Sequence, residues 1–256
     1  MAVAHRTLET RGYELDRHGK IGLTSWLRYF EHLRWEAGTD EALQLGRLFE
    51  DGHRMVVRVQ KLELIAPAVH DEKVRIETWL SRVGKTSFDL GHLARRESDS
   101  AELARGSATL VHVAETGLPA PVPDALRALV RDDGLSARIA VLAPQVKRPR
   151  TIFSDDVRVR PSDIDFLQHV NHAVYAAYFD DARVRAADAG AYGVNRFAAY
   201  ALRGVAIEYV REVKLGDALR VHTWSVDYEP HAFGFELERI GEETPVARAR
   251  FEVVER

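Results

Sequence analysis

Two stretches of this chain repeat each other closely enough to fix its architecture before any motif is weighed. WLRYFEHLR, from Trp26 to Arg34, matches YAAYFDDAR, from Tyr175 to Arg183. Tyr29 aligns with Tyr178, Phe30 with Phe179 and Arg34 with Arg183, all 149 positions apart, and Asp16 falls on Asp165 and Glu14 on Asp163 at the same spacing. Farther along, LELIAPAVHDEKVRIETW (62–79) lies on IEYVREVKLGDALRVHTW (207–224) at a spacing of 145, so the second copy carries the shorter loop. Glu63 then aligns with Glu208, Arg75 with Arg220, Thr78-Trp79 with Thr223-Trp224 and Phe88 with Phe233. Same-order matches with so small a drift identify a duplicated domain.

Each copy follows one grammar. A short strand-like run comes first (11–15; 157–160). An amphipathic helix follows, with apolar residues at i, i+3, i+4 and i+7: Trp26, Tyr29, Phe30 and Leu33, then Tyr175, Tyr178, Phe179 and Ala182. Gly38 and Gly190 are the expected helix stops. Strands are expected at 55–66, 73–83, 87–95 and 104–114, and again at 201–213, 218–228, 232–240 and 246–254. Strands bunched after one helix argue for an α+β unit, an antiparallel sheet wrapped on a single long helix. The expected division is 1–117, a proline-containing linker at 118–150, and 151–256. Within the linker DALRALVRDD has the pattern of a short helix. Its basic KRPR end reads as solvated linker or as a docking patch for an acidic partner.

Composition excludes much else. A chain of 256 residues with 46% hydrophobic and 29% charged residues is of ordinary globular type. A net charge of −3 supplies no field for nucleic acid, and the absence of cysteine removes disulfides, thiolate nucleophiles and cysteine-ligated metal. No apolar run approaches the ~20 residues that span a bilayer, and MAVAHRTLET lacks a signal-peptide core. The expectation is a cytoplasmic protein with no membrane or nucleic-acid partner. There is no G-x-S-x-G elbow and no glycine-rich phosphate loop. His169 and His172 lack the spacing and further ligands of a metal site.

The chemistry concentrates in DIDFLQHVNHAVYAAYFDDAR (163–183), where a polar knot opens an aromatic-rich helix. Helix capping by Asp163 and Asp165 is the bland reading. Copy one dismantles the knot: HVN becomes Lys20-Ile21-Gly22, although Asp16 survives. With D-x-D-x-x-x-H-V-N at the helix start, YELDRHGKIGLTSWLRYFEHLRWE near the N-terminus and IEYVREV farther on, the chain resembles the hot-dog thioesterases. It looks most like the plant-type and bacterial acyl-acyl-carrier-protein thioesterases, over nearly its whole length outside the linker. That resemblance implies a tandem hot-dog fold acting as a pseudodimer, as a monomer or a homodimer. It implies hydrolysis of fatty acyl thioesters of acyl carrier protein or coenzyme A, with no metal or organic cofactor.

By the same resemblance Asp165, His169 and Glu212 are the catalytic residues; the counterpart of Glu212 in copy one is Pro67. The carboxylates would activate water or attack directly, and His169 would orient water, bind the carbonyl or protonate the thiolate. The helix N-terminus, with Val170 and Asn171 at its mouth, would stabilise the oxyanion. Trp26, Tyr29 and Phe30, with Trp35, are large enough to line an acyl pocket in the first half, or to be ordinary core. Two departures stand out: Leu167 replaces the plant-type asparagine, and Gln168 replaces the glycine of single-domain relatives. A non-hydrolytic acyl-thioester binder is the second reading, which Leu167 favours. A hydratase is the third, without its D-x-N-P-x-H signature.

Overall fold

The computed structural model describes residues 2–40, 43, 45–131, 134, 139, 143–150, 152–192, 200–226 and 232–255. Each half opens on an edge strand, β1 (Ala4–Glu9) or β6 (Phe153–Arg158), and a single 3-10 turn, Gly12–Glu14 or Pro161–Asp163. A helix of 17 residues follows in both, α1 (Leu23–Thr39) and α2 (His172–Asp188). Then come β2 (Arg54–Leu64), β3 (Lys73–Val83), β4 (Ser87–Arg96) and β5 (Glu102–Val113) in the first half. The second half has β7 (Tyr200–Tyr209), β8 (Ala218–Ser225), β9 (Ala232–Arg239) and β10 (Ala247–Glu255). The chain divides into two units, 1–140 and 141–256. Strand order is β1-β3-β4-β5-β2 in the first and β6-β8-β9-β10-β7 in the second, with all of these pairings antiparallel. No helix among the described residues is long and apolar enough to cross a membrane.

The helices form where the apolar stripe demands them. Trp26, Phe30 and Leu33 of α1 and Tyr175, Phe179 and Ala182 of α2 are buried, as the i, i+3, i+4, i+7 spacing requires. In the second unit Phe179 of α2 meets Phe235 at 5.4 Å, and Phe235 meets Phe251 at 4.7 Å, so one helix residue and two adjacent strands form the aromatic centre. Each such side chain contributes about 1.5–3 kcal/mol by burial. α2 ends where Gly190 takes φ +70°, with Ala191 N–H bonded to Ala186 O at 2.8 Å and Gly190 N–H to Ala187 O at 2.9 Å. Only a residue without Cβ adopts that left-handed cap freely. Gly38, by contrast, lies inside α1, which runs to Thr39.

Other expectations shift. The run 11–15 is not a strand: Glu14 accepts the Arg11 N–H at 2.8 Å and curls it into the 3-10 turn, and the edge strand lies before it. β6 likewise starts at Phe153 and ends at Arg158 rather than spanning 157–160. β7 stops at Tyr209, short of the expected 213, where Val210 and Arg211 both donate to Val246 O and end the regular ladder. Residues 227 and 228, expected to end β8, lie outside the described residues, as do parts of the 118–150 linker. The linker helix is a 3-10 segment, Asp124–Leu129, pinned by Arg127 to the carbonyls of Val83 and Gly84, both at 3.0 Å.

One packing device recurs. Trp79 on β3 lies opposite Gly91 on β4, and Trp224 on β8 lies opposite Gly234 on β9. These pairs set the spacing of β4 and β9 at 143, so Phe233 corresponds to Leu90, and its sequence match to Phe88 is not a structural one. A β-bulge between Leu80 and Arg82 supplies one of the two residues by which the first hairpin is longer. A Cβ at Gly91 would lie 2.6 Å from the Trp79 indole, and one at Gly234 would collide with Trp224 in the same way. Gly91→Ala and Gly234→Ala are therefore each expected to cost about 1–3 kcal/mol of stability by overpacking. Urea unfolding checks this; a midpoint unchanged in both variants would refute the close approach.

Candidate active site

Ahead of α2 the chain must reverse from β6 into a helix, and it does so through a loop whose polar groups are nearly all assigned. Asp163 closes the 3-10 turn by accepting Arg160 N–H at 2.8 Å, and its buried carboxylate also accepts the Tyr178 hydroxyl at 2.7 Å. Its carbonyl accepts Asn171 N–H at 2.8 Å. Asp165 then holds the next turn, with Oδ1 accepting Leu167 N–H at 2.9 Å and, at the 3.5 Å limit, His169 N–H. Gln168 takes φ +66°, a left-handed conformation that costs a non-glycine residue roughly 1 kcal/mol or more. Asn171 caps α2, its Oδ1 accepting Ala173 N–H at 2.9 Å. Neither aspartate therefore caps the long helix; that task falls to Asn171.

A second loop, following β7, is joined to this one by Val170 N–H donating to Val213 O at 2.8 Å. The bond sets His169 beside Glu212: Nε2 lies 2.7 Å from Oε2. The other carboxylate oxygen of Glu212 lies 2.8 Å from Lys214 Nζ. Arg239 fixes the loop from below, donating to the Glu212 carbonyl at 3.0 Å, to Asp217 at 2.9 Å and to Glu242 at 2.9 Å. Burial opposes charge on Asp217, yet the Lys214 N–H and the Arg239 guanidinium hold its carboxyl below the ordinary value. The His169, Glu212 and Lys214 side chains are 35%, 53% and 56% exposed. Ion pairs so open to water add only about 0–1 kcal/mol to stability, so fold stability does not explain the arrangement.

The first half repeats the scaffold without these groups. Asp16 accepts the N–H groups of His18 at 2.8 Å and Lys20 at 3.1 Å; Gly19, in the place of Gln168, has φ +71°. Glu14 accepts from Arg11 N–H and from the Tyr29 hydroxyl, as Asp163 does from Arg160 and Tyr178. Ile21 N–H bonds to Ala68 O at 2.9 Å, matching Val170 and Val213, and Arg96 donates to the Pro67 carbonyl at 2.9 Å and pairs with Glu72, matching Arg239. What differs is the side-chain set: Lys20 for His169, Pro67 for Glu212, Val69 for Lys214 and Gly22 for Asn171.

Of the residues expected from sequence, His169 and Glu212 thus come together, and Asp165 stands in the same loop with Oδ1 turned to the backbone. Val170 is buried, and its N–H makes the bond between loops. Trp26, Tyr29 and Phe30 pack in the first unit's core, where Phe30 stacks on His92 at 4.8 Å. Trp35 is exposed and stacks on Phe49. Leu167 is exposed as well. Lys214 and Arg239 were not singled out from sequence. Lys214 was within reach, because the comparison that sets Glu212 against Pro67 sets Lys214 against Val69 two residues on. No group of three or more histidine or acidic residues among those described is placed to hold a metal ion.

Comparison with known proteins speaks to the family and the fold. A family model described as the thioesterase-like superfamily matches residues 11–130 and 159–254. An acyl-ACP thioesterase from Bacteroides thetaiotaomicron superimposes with a TM-score of 0.80 at 17% identity, covering 98% of this chain and 98% of that one. The 12:0-ACP thioesterase from Umbellularia californica does so with a TM-score of 0.74 at 19% identity, covering 99% and 94%. No curated protein sequence gives a match. The fold is the expected α+β double hot-dog.

Two outcomes follow from the loop. Asn171→Ala should lower the unfolding free energy by about 1 kcal/mol and Asn171→Gly by only a few tenths, as denaturant titration will read. Burial first, then the bonds to Asp163 and Glu14, raise the phenols of Tyr178 and Tyr29 well above their ordinary 10.0. The folded state keeps these protons longer than the unfolded chain, so their stabilisation is whole below pH 10 and is lost as pH rises beyond it. Stability should fall between about pH 10 and pH 12, and fall less steeply in the Tyr178→Phe variant.

Proposed function

Because the chain belongs to the thioesterase-like superfamily, we propose that it hydrolyses acyl thioesters and that its substrates are fatty acyl thioesters. The acyl group is carried on acyl carrier protein or coenzyme A, and the products are free fatty acid and thiol. The second half performs the chemistry, and the first serves as scaffold, with Trp26, Tyr29 and Phe30 in its core. The observation that carries this reading is the run Lys214–Glu212–His169, with contacts of 2.8 and 2.7 Å, each member of which is replaced in the duplicate. Absence of cysteine suits a reducing, cytoplasmic setting.

The roles follow from donor and acceptor chemistry. A carboxylate only accepts, so the Glu212 contact requires the hydrogen on His169 Nε2 and leaves the Nδ1 lone pair for a proton. His169 takes that proton from water as the water oxygen attacks the thioester carbonyl carbon. The tetrahedral intermediate collapses with loss of the carbon–sulfur bond, and the imidazolium returns the proton to the departing thiolate. Glu212 stabilises that imidazolium, and Lys214 holds the carboxylate by its other oxygen. Asp165, by fixing the turn through the Leu167 and His169 N–H groups, presents the imidazole and is a positioning residue. At the helix mouth the N–H groups of Ala173 and Val174 already bond to Asn171. The oxyanion therefore meets mainly the field of α2 rather than a row of free donors. Leu167 offers no side-chain hydrogen bond, which leaves water orientation to His169 and Glu212.

Thiol release from saturated acyl-coenzyme A and acyl-carrier-protein thioesters of graded length, followed with a thiol-detecting dye, tests this. Turnover is expected with one or more lengths. His169→Ala and Glu212→Gln should each lower kcat by at least about 100-fold, a scale typical of positioned acid–base groups, while Asp16→Ala leaves it unchanged. No release at any length, or equal damage from the Asp16 change, would overturn the assignment.

A further inference from the structure

Away from the His169–Glu212 dyad, and sharing no residue with it, three strands of the second unit align a hydroxyl, an imidazole and a carboxylate. Ser154 on β6 and His222 on β8 are cross-strand partners, with Ser154 Oγ 2.7 Å from His222 Nδ1. His222 Nε2 lies 2.6 Å from Glu238 Oε1 on β9. The imidazole is buried, with 5% of its side chain exposed, while Ser154 is exposed on the edge strand. Arg148 Nη1, at 3.1 Å from Glu236 and 3.7 Å from Glu238, holds the acidic end in place. We propose that Ser154, His222 and Glu238 form a second nucleophilic site, at which Ser154 accepts an acyl group from small activated acyl compounds, namely thioesters and aryl esters.

The tautomer follows from the contacts. Glu238 as a carboxylate takes the hydrogen of Nε2, so Nδ1 is the acceptor and the serine hydroxyl must donate to it. A nucleophile within hydrogen-bond reach of a base that a third group orients is the arrangement by which a weak hydroxyl is activated, and it is recognised by geometry rather than by sequence position. The first unit shows what a purely structural version looks like. Thr78 Oγ1 lies 2.7 Å from His92 Nδ1, but both residues are buried and the His92 Nε2 has no hydrogen-bond partner. The strand positions equivalent to Ser154, His222 and Glu238 are His5, Glu77 and Arg95, where an Arg95–Glu77 ion pair replaces the relay. Among the described residues, the serine–histidine–glutamate order occurs in the second half and not at the matching positions of the first.

In the step itself, Ser154 Oγ forms a bond to the acyl carbonyl carbon as its proton passes to His222 Nδ1. The bond from that carbon to sulfur, or to the aryl oxygen, breaks, and the leaving group takes the proton from His222. The products are O-acyl-Ser154 and the free thiol or phenol.

The full chain, incubated with p-nitrophenyl acetate, an acetyl thioester or a fluorophosphonate probe, can be followed by intact mass and peptide mapping. One adduct on Ser154 is expected with each, absent in Ser154→Ala. It should form at least about 100-fold more slowly in His222→Gln, the scale of a lost general base. Because His222→Gln removes a buried group and can unfold the sheet, Glu238→Gln, which keeps shape and contact, is the second variant and should also slow labelling. Labelling that persists in the His169→Ala variant separates this site from the dyad, whatever the outcome for thioester turnover. No adduct on Ser154, or equal rates in wild type and Glu238→Gln, would overturn the proposal.

Discussion

A backbone hydrogen bond, from Val170 N–H to the Val213 carbonyl, joins the two loops on which His169 and Glu212 meet. The histidine and the glutamate come from loops 43 residues apart in sequence, and each side chain is half open to water. Attraction between such exposed groups is too weak to gather the loops. The main chain therefore has to do it. On one side Asp163, Asp165 and Asn171 accept backbone N–H groups at the first loop and the helix start; on the other Arg239 ties the second loop by the Glu212 carbonyl and the Asp217 carboxylate. With these bonds in both loops, the bond between them places the imidazole and the carboxylate 2.7 Å apart.

The same hydrogen bonds in the first half separate what is architecture from what is chemistry. Ile21 and Ala68 meet as Val170 and Val213 do, Asp16 holds its turn as Asp165 does, and Arg96 ties down Pro67 as Arg239 ties down Glu212. An aspartate present in both halves and bonded alike in both is explained by the turn it makes. The histidine, the glutamate and the lysine, present in one half, are not explained by any turn. That contrast within one chain weighs more than the motif read by itself.

Much of this was legible in the residues. The repeat, the helix stripe around Phe30 and Phe179, and strand 73–83 followed from periodicity, because burial on one face leaves a period in the sequence. His169 stood out through its loss in the duplicate. Glu212 emerged only through family resemblance, since a glutamate on a loop carries no period, and the contact it makes spans two loops. The opening strands were misplaced because Arg11 and Leu15 are extended, while the turn between them depends on a Glu14 side chain reaching back three residues. Asn171, placed at the helix mouth by the sequence, caps α2 through its side chain, a role its position before the helix also allowed. Lys214 was passed over because a lysine two residues from a glutamate on a loop is unremarkable until it and His169 are seen to share the Glu212 carboxylate.

The arginine clamp in the first half has a consequence for how such a protein changes over time. Arg96 still grips the carbonyl of residue 67, and the turn of Asp16 still presents residue 20, although neither position now carries a reactive group. Side-chain replacements at positions 20 and 67 would meet a backbone bonded as it is around residues 169 and 212, so the two halves can differ in side chains while keeping the same loop hydrogen bonds.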